Sequence, residues 1–426
     1  MKILLCAFAC DPNGASGLGA GEDVLGWNIA RQTARFHQTW VLTHAGNRGT
    51  LEQARQDSGL EDRLHFEYVR LPGLFEIMAR NHKGPLQVYS WFWQWAAWRA
   101  ARRLHQQHDF ALFHHVTYAN DWLASPTGAL LPVPYIRGPG GGAHRMPGAL
   151  LRSRPFRVRV WERMRSLGQW IYRHDPIYVR GRRRARAILL CHPDAVRAVP
   201  APLRNKVQLF PVNGIAPEEA EQLAEASTRP EHDREGFRAI SAGSFIPLKC
   251  FDLGLRAFAD FVKSRPDARL ELVGDGPERE RLIGLAGDLG ITHQICFPGW
   301  LSRKELIPRM AQADVFLFPS ARDGGAAVVV EAMAAGTPVV CLDTGGPGFH
   351  VHDDWGIKIA PASPDRVILD MSDALHRLYD DPKLRTRMGT AGKKRVQEVY
   401  LWDRLGERLN GIHEDACRVS SVGCRK

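Results

Sequence analysis

No stretch of this 426-residue chain approaches the roughly 20 consecutive apolar residues that a membrane-spanning helix needs. Cysteine is sparse: the nearest pair, Cys6 and Cys10, lacks the C-x-x-C spacing of zinc or redox sites. The eight thiols therefore read as small buried hydrophobes in a reducing compartment, and the cytoplasm is the expected location. Nothing repeats at a solenoid period, and no segment is of low complexity. Acids are scarce in one place above all. Between Arg145 and Arg186 thirteen arginines stand against Glu162 and Asp175 alone, so this segment carries the whole net charge of +11. The N-terminal "MKILLCAFACDPNG" has no basic region beyond Lys2 and reads as a first β-strand rather than a signal peptide.

Against these absences stands an ordinary globular composition, 44% hydrophobic and 24% charged, in a chain long enough for two domains. Short apolar runs recur with amphipathic helices between them. "KILLCAFA", "TWVLTH", "HFEYVRLP", "FALFHHV" and "PYIRGP" serve as strands of one half. "GFRAISAGS", "ARLELVGDG", "ICFPGW", "VFLFPS" and "PVVCLD" serve the other, after a polar, Glu-rich connector that ends near residue 237. Strands alternating with helices imply parallel sheets covered on both faces. The expectation is two doubly wound Rossmann-like α/β domains facing across a cleft, residues 1–210 and 211–397, with ligand at the carboxyl ends of the strands.

"DPNGASGLGAGEDVLGW" follows the first strand, so a dinucleotide fingerprint must be tested. Gly17, Gly19 and Gly21 give G-x-G-x-G, but the third glycine of G-x-G-x-x-G falls on Glu22. The second strand ends in "VLTHAGN", without an acid for a ribose hydroxyl, which argues against NAD. Gly19 and Gly21 are instead candidates for a loop whose amides approach a phosphate or sugar.

The second half is more specific. "AGSFIPLKCF" offers Gly243, Ser244 and Lys249, and "LVGDGPERERL" follows the next strand. "SARDGGAAVVVEAMAAGTPVV" then places Asp323 eight positions before Glu331. Glu331, an acid among small apolar residues, either faces a cleft or awaits a ligand, since burying it alone costs several kcal/mol. The bland alternative is an N-terminal helix charge facing water.

This half resembles the donor domain of family 4 of the retaining glycosyltransferases, proteins of the GT-B fold. Their pattern runs G-R-x(4)-K-G, then G-x-G-P, then P-S-x(2)-E-x(7)-E-A, and it spans most of residues 237 to 346 in order and spacing. "HHVTYANDWLASP" and "VPYIRGPGGG" resemble a subset acting on polysaccharide or lipid-linked acceptors. Three residues depart from the pattern: Ser244 stands for Arg, Cys250 for Gly, and Asp323 for the first Glu.

The resemblance implies a hexosyl transfer from a nucleotide sugar to a glycan or lipid-linked glycan, with retention, in exopolysaccharide or cell-surface glycan synthesis. Lys249 would neutralise the leaving diphosphate, with Gly243 and Ser244 beside it. The amides of Gly325, Ala326 and Ala327, opening the helix that carries Glu331, would meet the same phosphates. Glu331 would accept from ribose hydroxyls, and Asp323 would hold hydroxyls of the sugar. His115 would contact the sugar near the reacting carbon, with His114 the alternative by one register. Residues 398–420 would form a helix crossing back onto the first domain. No D-x-D occurs, so neither a metal nor any other cofactor is expected. "FHVHDD", with His350 and His352, reads as a polar loop rather than a metal site. The rivals are a nucleotide-sugar 2-epimerase and an inactive scaffold, the latter because of the three departures.

Two further segments carry open readings. Val160, Trp161, Met164, Leu167 and Ile171 form a helical stripe flanked by arginines, suiting an anionic membrane surface. An acidic glycan is the second reading of the Arg145–Arg186 segment. Nucleic acid is not expected, because stacking aromatics and a recognition motif are lacking. Trp91, Trp95 and Trp98 at i, i+4 and i+7 read as a helix's core face, with a sugar-stacking platform as the alternative.

Overall fold

Most of the apolar runs become strands buried on both faces, as parallel sheets require, while Leu64–Val69 and Ile295–Gly299, at the sheet edges, are half-buried. The computed structural model describes residues 1–14, 20–71, 86–118, 120, 122–226 and 236–421. They divide into two units. In the first, β1 (Lys2–Ala7), β2 (Gln38–His44), β3 (Leu64–Val69), β4 (Leu112–Thr117), β5 (Tyr135–Gly140), β6 (Ala187–Leu190) and β7 (Val207–Leu209) form one sheet. Its order is β3-β2-β1-β4-β5-β6-β7. In the second, β8 (Arg238–Ala242), β9 (Arg269–Val273), β10 (Ile295–Gly299), β11 (Val315–Phe318), β12 (Val339–Leu342) and β13 (Gly356–Ile359) take the order β10-β9-β8-β11-β12-β13. The pairings are parallel in both, so each unit is doubly wound and its chain reverses beside the first strand.

Ten of these strands coincide with the quoted runs. The other three, β6, β7 and β13, lie at or next to a sheet edge on the far side of their units' first strands and are not among the quoted runs.

The unit boundaries differ from the expected division at 210. Residues 144–163 belong to the second unit, together with 213–401. Met146 and Leu150 enter its hydrophobic core, and Arg154 pairs with Asp252 at 2.7 Å with its side chain almost wholly buried. The helix Trp402–Ser421 belongs to the first unit. Trp402, Leu405, Leu409, Ile412 and Ala416, at alternating spacings of three and four, bury one stripe against the core around Ile3 and Leu5. Close approach to the Ala20–Phe36 helix requires glycine at 406, where a Cβ would lie 2.2 Å from Gln32 Oε1.

The tryptophan helix, Leu86–His108, is turned from its expected face. Tyr89, Trp93, Ala97, Ala101 and Leu104 are its buried apolar residues, and the Trp93 indole donates to the Val69 carbonyl. The two alanines let the helix lie close to the sheet. Trp91, Trp95 and Trp98 are half-buried in an edge-to-face series with centroids 6.3 and 5.8 Å apart.

Histidines join the last helix to the sheet. His114 on β4 lies with Nε2 2.7 Å from the Gly138 carbonyl and Nδ1 3.1 Å from His413 Nε2. A carbonyl only accepts, so His114 Nε2 carries the proton and Nδ1 accepts from His413. His114 cannot gain a proton without breaking this chain, since its remaining nitrogen, Nδ1, is the acceptor. Burial pushes His114 down to about 4 and His413 well below its ordinary value, with His114 nearby as a further cause for the latter. The unfolded state therefore binds more protons below pH 6.5. The stabilisation is full above that pH and is lost as pH falls toward 4, about 3 kcal/mol for His114. Urea unfolding from pH 7 to 4.5 should show stability falling with pH, and the slope should flatten in a His114→Leu/His413→Leu variant. An equal slope in both proteins would contradict the assignment.

Candidate functional site

The candidate residues of the second unit gather at the carboxyl ends of β8, β9, β11 and β12. After β8, Gly243 takes φ 151° and its amide donates to the Val273 carbonyl at 3.0 Å. The loop after β9 lies directly on it: a Cβ at Gly274 would be 2.0 Å from the Gly243 carbonyl oxygen. Phe245 donates to the Asp275 carbonyl, and Glu278 donates back to that of Phe245. The G-D-G-P glycines thus let two loops pack backbone to backbone. Ser244, where that contact turns, is exposed.

Lys249 ends a short 3-10 turn, and Cys250 follows in the left-handed conformation at φ 52°. A glycine is the usual residue there; the cysteine is retained with its thiol buried in the core. The turn aims the Lys249 ammonium at Asp323 Oδ2, and Nζ also lies 5.1 Å from the centre of the Phe318 ring. Oδ1 of the same carboxylate accepts from the amides of Gly325, at 3.1 Å, and Ala326, at 2.8 Å. Those amides precede the helix Ala327–Ala334, and Ala326 enters it left-handed at φ 50°. Ala327 is exposed beyond them.

The amides assigned to phosphates and the lysine assigned to the diphosphate therefore converge on one carboxylate. Burial raises the proton affinity of Asp323. Lys249, the Ala326 amide and His144 outweigh it, and the carboxyl is held below its ordinary value. His144 is a residue that the sequence reading missed. Its Nε2 would lie 3.0 Å from a Cβ at Gly345, a glycine with φ 51° whose neighbour Gly346 donates to the Asp323 carbonyl.

The Gly325 peptide is itself fixed. His350 Nε2 lies 2.8 Å from its carbonyl and Nδ1 lies 2.9 Å from the Tyr400 hydroxyl. The carbonyl only accepts, so Nε2 donates and Nδ1 accepts from the tyrosine. Asn213 donates to the same carbonyl. Thus His350 serves the loop, while exposed His352 sits 3.1 Å from Asp354. Among the described residues no group of three His, Cys, Asp or Glu side chains is placed to share a metal ion.

Glu331 is not alone, as the sequence had it. Its Oε1 lies 2.9 Å from Arg303 Nε, and Arg303 also reaches Glu219 at 3.1 Å. Burial still pushes its carboxyl up, with Arg303 opposing. Arg303 is the first residue of its helix, within "LSRKEL", and spacing alone gave no sign of this partnership.

In the first unit His114 is the core histidine described above. His115 sits on the opposite side of β4, buried, and its Nδ1 has no hydrogen-bond partner among the described residues. Burial, then Arg137, holds it far below the ordinary value. Gly21 is exposed with open space around its Cβ position, so packing does not demand a glycine there. Gly19 lies outside the described residues.

The arginine segment is not one patch. Arg182 is buried 5.0 Å from the Tyr178 ring centre, Arg184 donates to the Leu131 carbonyl and Arg180 to that of Ala129. Arg152, Arg157, Arg163, Arg183 and Arg186 are exposed.

Residues 222–395 match the family described as glycosyl transferases group 1. A GDP-mannose-dependent monoacylated alpha-(1-6)-phosphatidylinositol monomannoside mannosyltransferase of Corynebacterium glutamicum is 33% identical over 174 residues. That match covers 39% of this chain and 44% of the relative, so the chain spans less than half of the mannosyltransferases it matches. Sucrose-phosphate synthase of Thermosynechococcus elongatus superposes with a TM-score of 0.64 at 16% identity, over 97% of this chain and 98% of that one. Anabaena HepE, solved in complex with UDP, does so at 0.59 and 14%, over 97% and 100%. Both likenesses concern the fold, and the fold is GT-B.

The shared carboxylate makes a direct prediction. In carbon-13 NMR titration Asp323 should titrate below its ordinary 3.8, and higher in Lys249→Met than in the wild type, because the ammonium no longer opposes burial. An unmoved titration would remove Lys249 from the pair.

Proposed function

We propose that this chain, whose residues 222–395 form a glycosyl transferases group 1 domain, transfers a hexose from a nucleotide-diphosphate sugar to a glycan or lipid-linked glycan. One observation carries the reading: Lys249 and the Gly325 and Ala326 amides already hold anionic oxygens, those of Asp323. Cleaving a sugar–diphosphate bond develops charge on oxygens of the same kind, and donors fixed beforehand stabilise it without reorganising. The helix terminus adds its dipole. An ammonium and peptide N–H groups suffice for this task, so we assign the protein no metal.

When the diphosphate engages Lys249, the Asp323 carboxylate is released to accept from hydroxyls of the sugar. Glu331 keeps one oxygen on Arg303 and offers the other to the ribose. Ser244, exposed at the β8 loop, donates a hydrogen bond to the phosphates. In the first unit His115 is the group proposed to meet substrate. Transfer would proceed by front-face displacement, in which the leaving phosphate takes the acceptor's proton and configuration is retained. A role in exopolysaccharide or cell-surface glycan synthesis, at the inner face of a membrane, completes the proposal. Among the described residues no helix is long and apolar enough to cross a membrane.

Turnover of UDP-, GDP- and ADP-hexoses, with proton NMR of the product's anomeric signal, tests this. One nucleotide family should be consumed, equally with and without EDTA, and with retention. Lys249→Ala should slow turnover by roughly 10²- to 10³-fold, as loss of a transition-state donor does. A change under about fivefold would exclude that role, and a C2-inverted free sugar would identify an epimerase instead.

A further inference from the structure

The helix Phe156–Arg173 presents to solvent what helices ordinarily bury. Phe156, Trp161, Met164, Leu167, Trp170 and Ile171 are between 56% and 69% exposed. At about 100° per residue they fall within roughly half the helix circumference, and exposed Arg157 and Arg163 lie on the same arc. The opposite side holds the two buried residues, Glu162 and Gln169, seven positions apart. Glu162 pairs with Arg322, the residue immediately before Asp323, and Gln169 donates to the Gly142 carbonyl at 3.1 Å. The helix is therefore seated by its polar side and shows its apolar side outward.

We infer that this helix lies in the surface of an anionic bilayer, and that the Glu162–Arg322 pair connects its seating to the loop carrying Asp323. Charge selects the occupant. The helix carries one acid, Glu162, and that acid is buried and paired, so its outward face is apolar and purely cationic. A second copy would oppose two like-charged faces. An anionic lipid surface satisfies both components, taking rings and aliphatic chains among the headgroups and drawing the arginines to phosphates, about fivefold in partition per residue. The connection to the loop is equally specific: moving Glu162 moves Arg322, and Arg322 and Asp323 share a peptide bond. The docking stands independently of the transfer reaction, whereas this connection rests on the donor-site reading above.

Full-length protein would be pelleted with phosphatidylcholine vesicles, alone or with about one part in three of phosphatidylglycerol. Pelleting with the anionic vesicles only, with a blue shift of tryptophan emission, is expected. Trp161→Ser/Leu167→Ser/Trp170→Ser and Arg157→Glu/Arg163→Glu should each weaken it at least about fivefold. Undiminished pelleting in both variants, or no pelleting of the wild type, overturns the docking. So does a concentration-dependent dimer in sedimentation velocity that the triple variant abolishes. Glu162→Gln should pellet as wild type yet lose the increase in donor turnover that vesicles bring. An equal increase in the two proteins overturns the connection alone, and donor inactivity both with and without vesicles in the wild type and every variant, with pelleting intact, counts against the transferase reading instead.

Discussion

The second unit turns on one carboxylate held between an ammonium and two peptide N–H groups. Asp323 brings together a loop after β8, through Lys249, and the start of the Ala327–Ala334 helix, through Gly325 and Ala326. Without a counter-charge the ammonium would point into a half-buried site, and without an acceptor the first amides of the helix would be unsatisfied. The surroundings are organised to keep this point in place. His350, Tyr400 and Asn213 fix the Gly325 carbonyl, and Gly345 permits the next loop to touch the Asp323 backbone. The left-handed Cys250 and Ala326 both lie within this assembly, where non-glycine residues of positive φ persist because their neighbours over-determine them.

Much of the fold could be read because buried parallel strands leave continuous apolar runs, and ten of the thirteen strands lie in such runs. The interior of the site was harder. The sequence places Lys249, Asp323 and Glu331 at strand and helix ends, but pairings between them span many residues. Arg303 lies 28 positions before Glu331, and nothing in a one-dimensional pattern joins them. His144 and His350 were hidden for a similar reason: one sits in a loop, the other ends the short helix Gly345–His350, and each acquires its role from the fold.

Where periodicity was used to choose a face, it located a stripe but did not say which way the stripe points. The Leu86–His108 helix buries Trp93 beside alanines and leaves the larger tryptophan series at its side. The Phe156–Arg173 helix buries a glutamate and a glutamine and exposes its rings. In both, polar or small residues with a specific partner determine the buried side, against the ordinary preference for large apolar groups. The arginines divide on the same principle: those with a carbonyl, ring or carboxylate partner tie elements of their own unit together, and the others remain as surface charge.

The measurement closest to the centre of this account is the affinity of a nucleoside diphosphate relative to its monophosphate, by calorimetry, in wild type, Lys249→Met and Glu331→Ala. If Lys249 and the helix amides receive the diphosphate while Glu331 receives the ribose, Lys249→Met erases the preference for the diphosphate. Glu331→Ala then weakens both ligands and leaves their ratio unchanged. A preference that survives in Lys249→Met would place the phosphates elsewhere and contradict the assignment of the Asp323 loop.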